Sequence, residues 1–155
     1  MRDFRNTLII GDLVRNHRNW VCPVAALDNK YITVIARHYG ECPYLREDVS
    51  LIELTDEIIE QLGWKEIKEG DPGFRRSVSL EKEFKHPDYT EKLNITKNSL
   101  SGLYHILNGN ITLRYVSDLN HVIFHKFNDR IAYSDEQGFH IVSKPLHETA
   151  NECED

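Results

Sequence analysis

Apolar residues follow two rhythms along this chain. Over residues 1–54 they come in short β-branched runs, "TLIIGDLVR", "WVCPVAAL", "YITVIAR" and "VSLIEL". Apolar runs of about four to eight residues, bounded by turn formers, predict strands. Gly11 interrupts the first run where a bulge or bend fits. The second and third meet at Asp28-Asn29-Lys30 and predict a hairpin. Pro23 has no N–H to give a ladder, so its strand lies at an edge or begins irregularly. "HYGECPY" is a loop between strands. Four or five short strands in this span predict a small β-barrel of the SH3-like kind.

The rhythm then changes. In "LTDEIIEQLGW" Ile58, Ile59 and Leu62 recur at helical spacing, with Thr55 as N-cap, Asp56 and Glu57 in the first turn and Gly63 at C′. "KEGDPG" predicts a turn, and "FRRSVSL" alternates as a half-buried strand does. "EKEFKHPDYTEK" is polar and broken by Pro87, which predicts an exposed loop. "SLSGLYHILNGNITLRYV" carries Asn108-Gly109, the preferred two-residue hairpin turn. Folding there pairs Ile106 with Ile111, Tyr104 with Leu113 and Gly102 with Tyr115. A helix follows at about Ser117 to Asn128, then "RIAYS", a turn at Gly138 and "FHIVSK" as a final hairpin.

The pattern thus predicts an α+β fold: an N-terminal SH3-like small β-barrel, a short linking helix, then an antiparallel β-meander with one packed α-helix. Residues 1–54 form the barrel-like module, and 55–147 the helix, meander and packed helix. Residues 148–155 form an acidic flexible tail. The two modules are also consistent with one compact domain overall.

Composition narrows the functions. A 40% hydrophobic share with 28% charged residues is ordinary for a globular chain. No apolar run reaches the roughly 20 residues of a membrane helix. The start "MRDFRNTLIIGDLV" is too soon interrupted for a signal peptide. Cys22, Cys42 and Cys153 are odd in number and offer no disulfide framework or zinc knuckle, and free thiols fit a reducing cytoplasm. Net charge is −6, but residues 1–46 carry seven Lys or Arg against four Asp or Glu. The acidic balance disfavours a general nucleic-acid binder, while a local contact from the basic N-terminal part stays open.

Two stretches invite chemistry. "DLNHVIFH" places His121 and His125 one helical turn apart, the spacing of a metal pair. At about 100° per residue, Leu119, Ile123, Phe127 and Val122 form the buried stripe. Asp118, His121 and His125 then share the outward face, and the glutamate of a zinc protease helix is missing. The stretch reads as scaffold docking on the hairpin sheet, with no metal site. "RNHRNW", between the first two strands, is the better candidate. Arg15 and Arg18 can fork onto phosphate or carboxylate, His17 can donate, and Trp20 can stack. The loop "RHYGECPY" adds Arg37, His38, Tyr39 and Tyr44 if it comes alongside. The bland alternative packs Trp20 into the barrel. No G-x-S-x-G, Walker loop or dinucleotide fingerprint is present, and no catalytic residue or cofactor is assigned.

Three stretches in succession resemble a widespread uncharacterised group of small proteins from gut Bacteroidetes and their mobile elements or phages. "LIIGDLVR" is similar to that group's opening "IGN-V" strand, and "VSLIELTDEIIEQLGW" to its linker of "PI-LTEEWL-KFGF" type. "LRYVSDLNHVIFHKFN" is similar to its "KYVHQLQNLYFALTG" helix. The resemblance covers residues 7–128. This chain departs from it at Asp12, where the group has Asn, at "KFNDR", and in the added segment after residue 129. It brings no catalytic residues. It implies a non-enzymatic binding or interaction protein of bacterial or phage origin, for instance an anti-defence protein that binds a host protein or sequesters a small nucleotide signal. A nucleic-acid-binding module using the basic barrel is the first alternative, and a hydrolase whose site forms only in the fold is the second. No membrane partner is expected, and self-association is left open.

Overall fold

The structure is a computed structural model and describes residues 8–36, 39–67, 77–106 and 111–143. The chain is α+β, with antiparallel sheets and two α-helices among the described residues. It divides into two compact units, Leu54–Arg114 and the residues to either side of that segment.

In the flanking unit, β1 (Leu13–Arg15), β2 (Val21–Leu27), β3 (Tyr31–Ala36), β4 (Gly40–Leu45) and β5 (Ser50–Leu51) form one sheet in the order β4-β3-β2-β1-β5. Alternation decides which side chains enter the core. Cys22 and Val24 of β2 and Ile32, Val34 and Ala36 of β3 are buried, together with Leu8, Val14 and Val49. Ala25 is an extra residue on β2, since the register steps from Val24↔Val34 to Ala26↔Thr33. β2 is an interior strand, but the β3 ladder begins only at Val24. Pro23 therefore faces no partner on that side, which is how its missing N–H is tolerated.

The expected barrel is not confirmed. β4 pairs only with β3 and β5 only with β1, so the sheet is not closed. A 3-10 turn at Arg46–Asp48 separates them, and β5 has just two residues to offer. "HYGECPY", expected as a loop, is mostly strand β4, paired from Ala36↔Gly40 to Tyr31↔Leu45.

The same unit contains α2 (Val116–Phe127) and the hairpin β11 (Arg130–Ser134) with β12 (Gly138–Val142). Leu119, Ile123 and Phe127 are buried, as their spacing predicts, and Val122 is half-buried. Asn128 ends the helix in the left-handed region at φ 60°, its N–H bonded to the Phe124 carbonyl. The strands it packs on here are β11 and β1. The sequence had set this helix against the hairpin around Asn108, which belongs to the other unit.

In that other unit, α1 (Asp56–Gln61) has Thr55 as N-cap, its Oγ1 accepting from the Ile58 N–H. Gly63 sits at C′ with φ +103°, and the Trp64 N–H closes back onto the Ile59 carbonyl. A second sheet runs β10-β9-β8-β7-β6, from β6 (Lys65–Glu66), β7 (Ser77–His86), β8 (Tyr89–Asn98), β9 (Tyr104–Ile106) and β10 (Ile111–Leu113). β9 and β10 pair Ile106↔Ile111 and Tyr104↔Leu113 as expected. The expected Gly102–Tyr115 pair does not form, and Tyr115 bridges Glu53 instead. The turns at 68–73 and 108–109 and the tail at 148–155 lie outside the described residues.

The expected loop "EKEFKHPDYTEK" is the opposite of a loop. β7 and β8 pair over ten residues, from Ser77↔Asn98 to His86↔Tyr89. Pro87 does not break a strand but occupies the two-residue turn between them, where its fixed φ fits. Phe84 and Leu93 on this ladder are buried beside Trp64, whose indole stands edge-on to Phe84 and donates to the Leu93 carbonyl.

Candidate functional site

The loop joining β1 to β2 is built around one side chain. Asn16 is buried, and its Oδ1 accepts from the N–H groups of Arg18 and Trp20, each at 3.0 Å. Its own N–H donates to the Trp20 carbonyl at 3.1 Å, and the Asn19 N–H closes back onto the Asn16 carbonyl. Asn19 takes φ 65°, which asparagine tolerates, and its carbonyl receives Arg15 Nη1 at 3.1 Å. An asparagine that satisfies several backbone donors replaces the hydrogen bonds a loop would otherwise seek from water. The side chains of residues 17, 18 and 20 are therefore presented on a pinned backbone. The Asn16 Nδ2 is buried without a hydrogen-bond partner among the described residues.

Three ring contacts tie this loop to the β3–β4 hairpin or order its own side chains. Trp20 stacks on Tyr39 with centroids 6.0 Å apart and planes within 21°. The Arg18 guanidinium lies 5.2 Å from the Trp20 centroid, within cation–π range. His17 tilts against Tyr44 at 5.3 Å. Trp20 is 40% exposed and Tyr39 is 64% exposed. The alternative that buried Trp20 in a barrel interior is thereby corrected: its ring is a surface platform. Of the eight residues proposed from sequence, Arg18, Trp20 and Tyr39 come together, His17 meets Tyr44 in a separate contact, and Arg15 reaches back to the Asn19 carbonyl. Arg37 and His38 lie outside the described residues.

A second polar cluster was missed by sequence reasoning. Asp12 is fully buried. Its Oδ1 accepts from Asn120 Nδ2 at 2.7 Å, and its Oδ2 from the Ile9 N–H at 2.8 Å and His121 Nε2 at 2.6 Å. Asn120 Oδ1 accepts in turn from the Ile131 N–H at 2.7 Å. One carboxylate thus braces the approach to β1, helix α2 and strand β11. The hydrogen bond to Asp12 holds the His121 pKa above its usual value, the charges of Asp12 and Asp118 adding to it while burial opposes it. His121 was expected to face solvent with Asp118 and His125, and this is corrected. His125 is exposed, whereas His121 turns inward onto the carboxylate. The signals were an aspartate within an apolar strand run and an asparagine beside the inward stripe of a helix.

The other ionisable groups divide simply. Burial, with Cys42 adding, pushes the Cys22 thiol up to about 11, and its side chain packs in the core of the first sheet. Asp56 accepts from Lys97 at 2.7 Å and from the Tyr104 hydroxyl, and these hydrogen bonds lower its pKa. Among the described residues, no three His, Cys, Asp or Glu side chains gather as a metal would require. No described helix is long and apolar enough to cross a membrane.

Comparison with protein-family models, curated proteins and solved structures finds no match to this chain.

Proposed function

We propose that this protein is a non-enzymatic binding protein whose recognition face is the surface formed by Arg15, His17, Arg18, Trp20, Tyr39 and Tyr44. Its ligand class is a planar group carrying negative charge, of which a nucleotide is the simplest example. One observation carries this reading: two exposed aromatic rings stack on a hydrogen-bonded loop with an arginine beside them. Exposed aromatic surface is costly to leave in water, and a guanidinium beside it suits phosphate or carboxylate. Base-on-aromatic stacking is worth about 1–3 kcal/mol per base. The pinned backbone reduces the ordering cost of binding.

The strand order supports an SH3-like arrangement opened between β4 and β5, in which the binding loops join β1 to β2 and β3 to β4. Following the resemblance to phage and mobile-element proteins, the role we favour is sequestration of a small nucleotide signal in a bacterial cell. Titrating a panel of mono-, di- and cyclic nucleotides while following thermal unfolding tests the reading. Saturable stabilisation by one of them, reduced by Tyr39→Ala and Arg18→Ala, supports it. No stabilisation by any of them removes it. Salt-dependent retardation of single-stranded RNA or DNA, lost on Arg15→Ala with Arg18→Ala, would favour a nucleic-acid partner instead.

A further inference from the structure

In the Leu54–Arg114 unit, Lys82 stands on the wrong side of its strand for a lysine. Alternation along β7 puts it on the same face as Phe84, which is buried, and across from Leu93, which is also buried. The side chain is half-buried, and burial holds its pKa below the usual lysine value. Among the described residues its ammonium has no hydrogen-bond or ion-pair partner, and it lies 5.5 Å from the centroid of the Phe84 ring. The backbone at Gly63 makes room for it. A Cβ built at Gly63 would come within 2.7 Å of Nζ, so any other residue there would push the ammonium aside. A partly desolvated cation without a counter-charge is costly, and structures ordinarily pair it.

A cavity of about 310 Å³ opens at this point, lined by Gly63, Lys65, Glu81, Lys82, Glu83 and Lys92. That volume is at the small end of ligand cavities. Three lysines against two glutamates leave the lining with a net positive charge, and Glu81 is already answered by Lys92 at 3.7 Å. We infer that this cavity is an anion site, in which Lys82 holds a small oxyanion, a carboxylate or a phosphate. This site is independent of the aromatic face in the other unit, and either can fail without the other.

The test uses the full chain with its lysines ¹³C-labelled, followed by the Cε–Hε correlation spectrum. The Lys82 signal is assigned by its loss in Lys82→Met. Inorganic phosphate and acetate are titrated separately at ionic strength held constant with sodium chloride. A saturable shift of the Lys82 signal is expected, and the arm with the tighter midpoint identifies the anion. Lys82→Arg retains binding, whereas Lys82→Met weakens it about tenfold or more, as judged by a backbone amide near Gly63. A linear shift no larger than that of the chloride control overturns the site on the unmodified chain alone. So does equal binding by the folded Lys82→Met protein.

Discussion

Asp12 is surrounded by donors supplied by residues close to it and more than a hundred positions away. Ile9 lies three residues before it, while Asn120 and His121 lie 108 and 109 residues after it. Removing one partner of a buried charged network leaves the others short of bonds, at a cost of about 3–5 kcal/mol. Asp12→Ala should therefore lower unfolding stability by that order in urea titration, while Asp118→Ala should cost less. The pH dependence follows from His121. Its folded pKa is raised above the unfolded value, so its contribution is complete below about 6.5 and fades as pH rises through the folded pKa. Unfolding free energy should decline from pH 6 towards pH 9 in the native chain, and His121→Gln should flatten that decline. A slope unchanged by His121→Gln would contradict the brace. At this scale the sequence is informative about the exposed polar and aromatic loop and silent about the brace. Arg, His, Arg and Trp within six positions announce themselves as polar and aromatic loop residues. A carboxylate in an apolar strand can be read as buried only when its distant partners are known.

Elements were legible wherever their signal is local. The cap at Thr55, the C′ glycine at Gly63 and the hairpin of "WVCPVAAL" with "YITVIAR" depend on neighbours within a turn or a run, and the structure has them where expected. The β7–β8 hairpin is hidden in the sequence because its polar residues and Pro87 carry loop signals. Yet Phe84, Leu93 and Ile95 are buried, and they carry the ladder. If this hairpin is a structural element, Phe84→Ala should cost about 3–5 kcal/mol. A loop residue would cost a few tenths at most. Chemical denaturation of the variant distinguishes the two, and a near-zero effect would contradict the ten-residue ladder. Capping has a smaller expected effect: Thr55→Ala should cost about 1 kcal/mol by the same measurement.

At the scale of the whole molecule, the chain leaves the first unit after Glu53 and returns to it at Tyr115. That return was illegible for a physical reason. The apolar stripe of α2 states that the helix has a buried face but does not state which sheet supplies the other side. Charge, by contrast, was readable from the start. An acidic chain of net charge −6 carries its positive excess in the N-terminal residues from which the proposed recognition face is built. Anion binding at that face should therefore weaken as salt rises, through screening of the local contact, even though the protein as a whole repels polyanions.

The central claim is that Trp20, Tyr39 and Arg18 form a platform for a planar anionic ligand. Calorimetric titration of the full chain with a nucleotide panel, beside the Tyr39→Ala and Arg18→Ala variants, tests it most directly. Saturable binding of at least one nucleotide is expected, weakened roughly 5- to 150-fold by either variant of the platform. Heat of dilution alone across the panel, or binding indifferent to Tyr39 and Arg18, would contradict it.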